Sequence, residues 1–322
     1  MRLSDVGEFG LIARIARLAE AVTGVAVRRG IGHDAALLRA RVDEDVAVTA
    51  DTLVQDVHFR LVDELPRTVG RRALVANLSD LAATGARPLG FTLALAVPPG
   101  LAVKTALDFV RGMLDVGAEH ACPLVGGNVT RAKEVSLAIT ALGGVRRGRA
   151  LARDGARAGD RLLVTGALGA MALARARSER RGTRLGLVPE PRLAAGRALA
   201  ATPGVRACID VSDGLIADLR HLTEASGVGA EVEVDRVPRP PGFEAGCRRL
   251  EIEPERLILA GGEDYELLFA ASRRAPRAAA LERRLRVPVR EIGCFRGRGV
   301  RVRGAGSGPG EAGGGGEGWR HF

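Results

Sequence analysis

The chain is short of cysteine, lysine and large aromatic residues, and each shortage removes a class of function. Its 322 residues hold four cysteines, Cys122, Cys208, Cys247 and Cys294, widely spaced and without a CxxC pair. That spacing argues against a thiolate zinc site or a disulfide framework, and buried apolar cysteines are the expectation. One Trp and one Tyr are too few for a base-stacking platform. The formal charge of +10 is almost all arginine, Lys104 and Lys133 being the only lysines, and it is scattered among acidic residues. No nucleic-acid partner is therefore expected. No apolar run reaches ~18 residues, so no membrane span is expected either. Met1 to Ala13 carries Asp5 and Glu8 in place of a charged-then-apolar leader, which makes the cytoplasm the expected compartment. Neither lysine follows a glycine-rich loop, which excludes a Walker-type phosphate cradle.

What is present is a long alternation of helical and strand patterns. Domains of about 100 to 200 residues are usual, so two are expected, divided at Arg146-Arg147-Gly148 where the pattern restarts. This gives an N-terminal domain, 1–147, and a C-terminal domain, 148–322. Helical spacing predicts helices over Phe9 to Val22, Pro66 to Thr84, Val103 to His120, Pro191 to Ala201 and from Leu215 to Ala225. Apolar runs predict strands at Val46 to Thr52, Phe91 to Val97, Val135 to Val145, Arg161 to Thr165 and Leu267 to Ala270. Gly126 to Arg131 reads as a turn, and the low-complexity stretch Gly304 to Gly318 as a flexible loop.

Carboxylates gather where these elements end. Asp210 and Asp213 bracket Ser212 at the close of one apolar run and the opening of a helix, where Ser or Asp is expected to cap free N–H groups. Asp34, Asp51 and Asp80 stand beside other element ends, and Asn77 shares a helix face with Asp80. Several carboxylates with few lysines suit polyphosphate chemistry in which divalent cations neutralise the charge.

Taken together, the motifs resemble the thiamine-monophosphate kinases. The matching pieces are Gly7-Glu8-Phe9, Gly32-His33-Asp34, Thr49-Ala50-Asp51 with His58-Phe59, and Asn77-Leu78-Ser79-Asp80. Gly126-Gly127-Asn128, Gly148 to Arg153, Ile209 to Gly214, Gly261 to Leu267 and Gly318 to Phe322 follow in the family's order. The resemblance implies an α/β fold like that of aminoimidazole ribonucleotide synthetase. Two domains of mixed sheets are flanked by helices, a homodimer forms through the N-terminal sheet, and ATP lies between the domains. It implies direct transfer of the ATP γ-phosphoryl group to thiamine monophosphate, yielding thiamine diphosphate. Mg²⁺ ligands are implied at Asp34, Thr49, Asp51, Asp80, Asp210 and Asp213, with Asp34, Asp80 and Asp210 central to catalysis. ATP contacts are implied at Gly126, Gly127, Arg153 and Ser212, and substrate contacts at His58, Glu263 and Trp319.

Three positions depart from the family pattern. His33 and Asn128 stand where Asp is usual, and Ala50 where a hydroxyl is usual. Asn128 is then a neutral amide at a metal-ligand position, a weaker ligand for a hard cation than a carboxylate. The alternatives are a degenerate protein that binds nucleotide or thiamine phosphate without turnover, and another ATP-dependent enzyme of the same superfamily.

Overall fold

The structure is a computed structural model that describes residues 1–304 and the backbone of residues 307–311. It divides into two compact units. The first comprises Met1–Leu81, Arg87–Arg147 and Arg181–Val188; the second comprises Ala82–Ala86, Gly148–Arg180 and the chain from Pro189 onward. The exchanged segments are tied in by backbone hydrogen bonds, Leu185 N–H to the Asp63 carbonyl in the first unit and Leu151 N–H to the Thr84 carbonyl in the second.

In the first unit, β1 (Val27–Arg29) and β2 (Leu37–Leu38) form a small antiparallel ribbon. The main sheet has four strands, β3 (Glu44–Val54), β4 (Arg87–Val97), β5 (Leu124–Arg131) and β6 (Ser136–Arg146), in the order β3-β6-β4-β5. β3 pairs antiparallel with β6 along its whole length, from Glu44 opposite Arg146 to Val54 opposite Ser136. β4 and β5 are parallel, which requires a crossover. Helix α3 (Val103–Glu119) supplies it, burying Val103, Ala106, Val110 and Met113 on one face. Helices α1 (Leu3–Ala19) and α2 (Pro66–Thr84) complete the unit, with α2 covering the span expected from its leucine spacing. The stretch Gly126 to Arg131, expected as a turn, is the body of β5: its residues continue the parallel register, with Gly127 opposite Leu93 and Asn128 opposite Ala94.

The second unit is built on a seven-stranded sheet. Its strands are β7 (Arg161–Thr165), β8 (Val205–Asp210), β9 (Ala230–Glu233), β10 (Leu267–Ala271), β11 (Val289–Phe295), β12 (Val300–Gly304) and β13 (Ser307–Glu311). They lie in the order β13-β12-β9-β11-β7-β10-β8. Only β12 with β9 is parallel. β13 falls inside the stretch expected as a flexible loop and pairs with β12; the remainder of that stretch lies outside the described residues. Helices α4 (Ala170–Arg181), α5 (Leu193–Ala200), α6 (Leu215–Ser226), α7 (Phe243–Leu250), α8 (Pro254–Ala260) and α9 (Ala278–Leu285) flank the sheet. Leu162, Val164, Ile209, Leu219, Val232, Phe243, Ile258 and Phe295 meet in one apolar core. Burial of such side chains contributes roughly 1.5–3 kcal/mol each. That core fixes the end of β8 and the start of α6, where the acidic turn sits.

Candidate active site

In the second unit, Asp210 ends β8 opposite Leu267 and is 3% exposed. The chain turns through Val211, Ser212, Asp213 and Gly214 into α6. A second segment, Gly261 to Glu266, is laced to that turn: Glu263 N–H donates to the Ser212 carbonyl at 2.7 Å, Tyr265 N–H to Val211, and Val211 N–H to Glu266. The approach is close enough to require glycine at 262, since a Cβ there would lie 2.4 Å from the Ser212 carbonyl oxygen. Glu263 and Tyr265 hold φ of 62° and 51°, a left-handed backbone that side chains rarely adopt. Such conformations persist where surrounding structure imposes them, and they gather at functional sites. Glu263 is further fixed by Arg175, whose Nη2 lies 2.7 Å from Oε2.

Ser212 does not cap α6. The cap position is Gly214, without a side-chain cap, and the carboxylate comes from inside the helix. Asp218 Oδ2 accepts the backbone N–H groups of Ser212, Asp213 and Gly214 at 3.0, 3.1 and 3.1 Å. Burial, and then the neighbouring Asp210 and Asp213 charges, push the Asp218 carboxyl up to about 8. The same device recurs at α4. Asp264 Oδ2 accepts Gly169 N–H at 2.6 Å and Oδ1 accepts Met171 N–H at 3.3 Å, and burial pushes its carboxyl up to about 7. Helix N-termini are ready-made phosphate sites when their amides are open. Here Asp264 takes the Gly169 and Met171 amides at the start of α4, and Asp218 takes the three turn amides that precede α6.

In the first unit, Thr49 and Asp51 alternate on β3 and so face the same side, with Ala50 on the other. Thr49 Oγ1 donates to Asp80 Oδ2 on α2. Asp34 is exposed in the turn before β2. His58 Nδ1 accepts Val54 N–H at 3.0 Å, which places the proton of the neutral ring on Nε2. The His58 carbonyl receives Arg72 Nη2 at 3.5 Å, and Arg72 is held by a buried ion pair with Glu64. Gly127 needs to be glycine: its φ is 153°, and a Cβ would fall 2.0 Å from the Leu93 carbonyl oxygen. Asn128 is exposed beside it on β5.

Thus Thr49 and Asp80 are brought into contact in the first unit, and Asp210, Ser212, Asp213 and Glu263 into one turn assembly in the second. Arg153 stands exposed in the loop before β7, its carbonyl accepting Ser226 Oγ at 2.8 Å. Trp319 lies outside the described residues. Among the described residues, no group of three or more His, Cys, Asp or Glu side chains gathers tightly enough to enclose a metal ion by itself. The available donors are nevertheless carboxylate and hydroxyl oxygens, the chemistry that Mg²⁺ selects. Sequence reading did not single out Asp218 or Asp264 as organisers of the turns. Three of the four cysteines are buried, and burial pushes Cys122 up to about 12, as apolar cysteines should behave.

Residues 32–145 match the AIR synthase related protein, N-terminal domain, and residues 157–303 match its C-terminal domain. Over 279 residues the chain is 37% identical to the thiamine-monophosphate kinase of Mycobacterium tuberculosis (strain CDC 1551 / Oshkosh), covering 83% of this chain and 81% of the relative. The chain belongs to the thiamine-monophosphate kinase family. The solved thiamine-monophosphate kinase of Stenotrophomonas maltophilia K279a superposes on it with a TM-score of 0.80 at 37% identity, covering 94% of this chain and 98% of that one. AaThiL complexed with AMPPCP and TMP superposes with a TM-score of 0.72 at 28% identity, covering 100% and 99%. The AIR synthase-like two-domain fold expected from the motifs is the fold of this family member.

Proposed function

We propose that this protein transfers the γ-phosphoryl group of ATP to the phosphate of thiamine monophosphate, giving thiamine diphosphate and ADP. The observation that carries the reading is the whole-chain likeness to AaThiL complexed with AMPPCP and TMP. The carboxylate and hydroxyl side chains of the two acidic turns support it, because hard oxygen donors suit cations that offset the charge of two phosphorylated substrates. Mg²⁺, when bound, neutralises the phosphates and favours in-line approach.

In this reading Asp34, Thr49, Asp51, Asp80, Asp210 and Asp213 are Mg²⁺ ligands. Asn128 stands at a further ligand position. Gly126 and Gly127 pass close to the nucleotide with no side chain in the way, and Arg153 and Ser212 contact it. His58 presents Nε2–H to the acceptor phosphate, Glu263 meets the cationic half of thiamine phosphate, and Trp319 offers a ring face to the thiazolium. The attacking atom is a phosphate oxygen, largely deprotonated near neutral pH, so the chain needs to position it without supplying a strong general base.

The proposal includes a homodimer formed through the first unit's sheet. β3 is its edge strand, and Val46 and Val48 on it are 53% and 62% exposed. Apolar side chains on an unpaired edge favour docking of a second copy. A cytoplasmic location fits an ATP-consuming enzyme whose cysteines are unpaired.

The test is incubation of purified protein with ATP, Mg²⁺ and thiamine monophosphate, followed by chromatography. Thiamine diphosphate with equimolar ADP is expected. AMP as the nucleotide product would overturn the reading in favour of a different ATP-dependent reaction, and binding of both ligands without product would overturn it in favour of a degenerate binder.

A further inference from the structure

Asn77 lies on α2 one turn before Asp80 and is 0% exposed. Its Nδ2 donates to the Ala73 carbonyl at 3.1 Å. A second carbonyl oxygen could not take that place, so this bond fixes which way the amide faces. The opposite atom, Oδ1, is buried and meets no hydrogen-bond donor among the described residues. Buried acceptors are almost always satisfied, and one left unmet lowers stability, whereas an apolar side chain of similar shape would avoid that loss. Residues three apart share a helix face, and Asp80 on this face accepts the Thr49 hydroxyl. Among the described residues, then, a buried carbonyl without a protein donor lies on the same face of α2, one turn from the carboxylate assigned above to Mg²⁺.

We propose that Asn77 Oδ1 accepts a hydrogen bond from a water in the hydration shell of the divalent cation held at Asp80, making Asn77 a positioning residue for that cation. This rests on the kinase reading above. Mg²⁺ gives up its waters reluctantly and keeps several in protein sites. An acceptor bonded to one of them would hold the hydration shell in place without touching the ion, as outer-shell partners do at other metal sites. Asn supplies the acceptor without adding another negative charge beside Asp80.

The test compares wild type with Asn77→Leu and Asn77→Ala. Neither variant offers an acceptor, and the Ala variant covers the case in which Leu does not pack. Melting temperature is followed during Mg²⁺ titration with AMPPCP present, and thiamine diphosphate formation is measured in parallel. Without metal, at least one variant is expected to melt no lower than wild type. In the folded variants the midpoint of Mg²⁺-dependent stabilisation is expected to rise about tenfold, within the range seen for loss of an outer-shell partner. At saturating Mg²⁺, kcat is expected to recover. Mg²⁺ titrations that superimpose on wild type in the folded variants would overturn the proposal. Failure of the kinase reading is seen separately, as absence of thiamine diphosphate from the wild-type protein.

Discussion

Asp218 Oδ2 stands 3.0 Å from the backbone nitrogen of Ser212, and the same oxygen receives the next two amides. One buried carboxyl group thus shapes the turn that carries Asp210 and Asp213. Asp218→Ala would leave these donors without an acceptor, at a cost of about 2–4 kcal/mol. Asp218→Asn keeps one side-chain oxygen for them and should stay within about 1 kcal/mol of wild type. Urea denaturation of the two variants checks the order, and equal destabilisation would contradict it.

Asp80 accepts the Thr49 hydroxyl, and in the proposed reaction it also holds Mg²⁺. Asp80→Asn keeps the size of the side chain but loses the charge. Turnover should fall at least ~100-fold, equivalent to about 2.7 kcal/mol of barrier, while circular dichroism stays that of wild type. Near-normal turnover at saturating Mg²⁺ would remove Asp80 from the site.

At Asn128 a neutral amide stands at an implied ligand position on an exposed stretch of β5. Asn128→Asp adds a harder ligand without disturbing packing. The Mg²⁺ concentration for half-maximal activity should fall roughly 3- to 10-fold, in line with ligand charge as a determinant of cation affinity. An unchanged titration would mean that position 128 does not meet the metal.

Asp264 gives a pH signature. Its folded carboxyl is pushed up to about 7 by burial, above the ordinary aspartate value near 3.8. Between those values the folded form binds more protons than the unfolded chain, so this group's contribution to stability falls as pH rises from about 4 to 7 and is level above. The slope is at most about 1.4 kcal/mol per pH unit. Asp264→Asn cannot ionise, so its melting temperature should decline less than wild type between about pH 5 and pH 7.5. Parallel curves would contradict this assignment.

Long periodic elements were legible in the sequence. α2 runs from Pro66 to Thr84 as its leucines indicate, and β7 spans Arg161 to Thr165 as expected. β5 was legible only at its start, where Pro123-Leu124-Val125 reads as a strand, because Gly126-Gly127 reads as a turn locally, while in the fold glycine is what lets this strand pass against Leu93. α7 and α8, of eight and seven residues, follow a proline-rich stretch and are too short for a periodic pattern to stand out. The acidic turn was legible as a cluster, but its capping was not. An Asp in a helix's first turn gives no local sign that it reaches back over three amides, so Ser212 looked like the cap and Asp218 like an ordinary helix residue.

Transfer of label from ATP tests the central claim most directly. With ATP labelled in the γ-phosphoryl group, Mg²⁺ and thiamine monophosphate, the label should appear in the terminal phosphoryl of thiamine diphosphate, matched by unlabelled ADP. Label released only as inorganic phosphate, or left in ATP while both ligands bind, would contradict it.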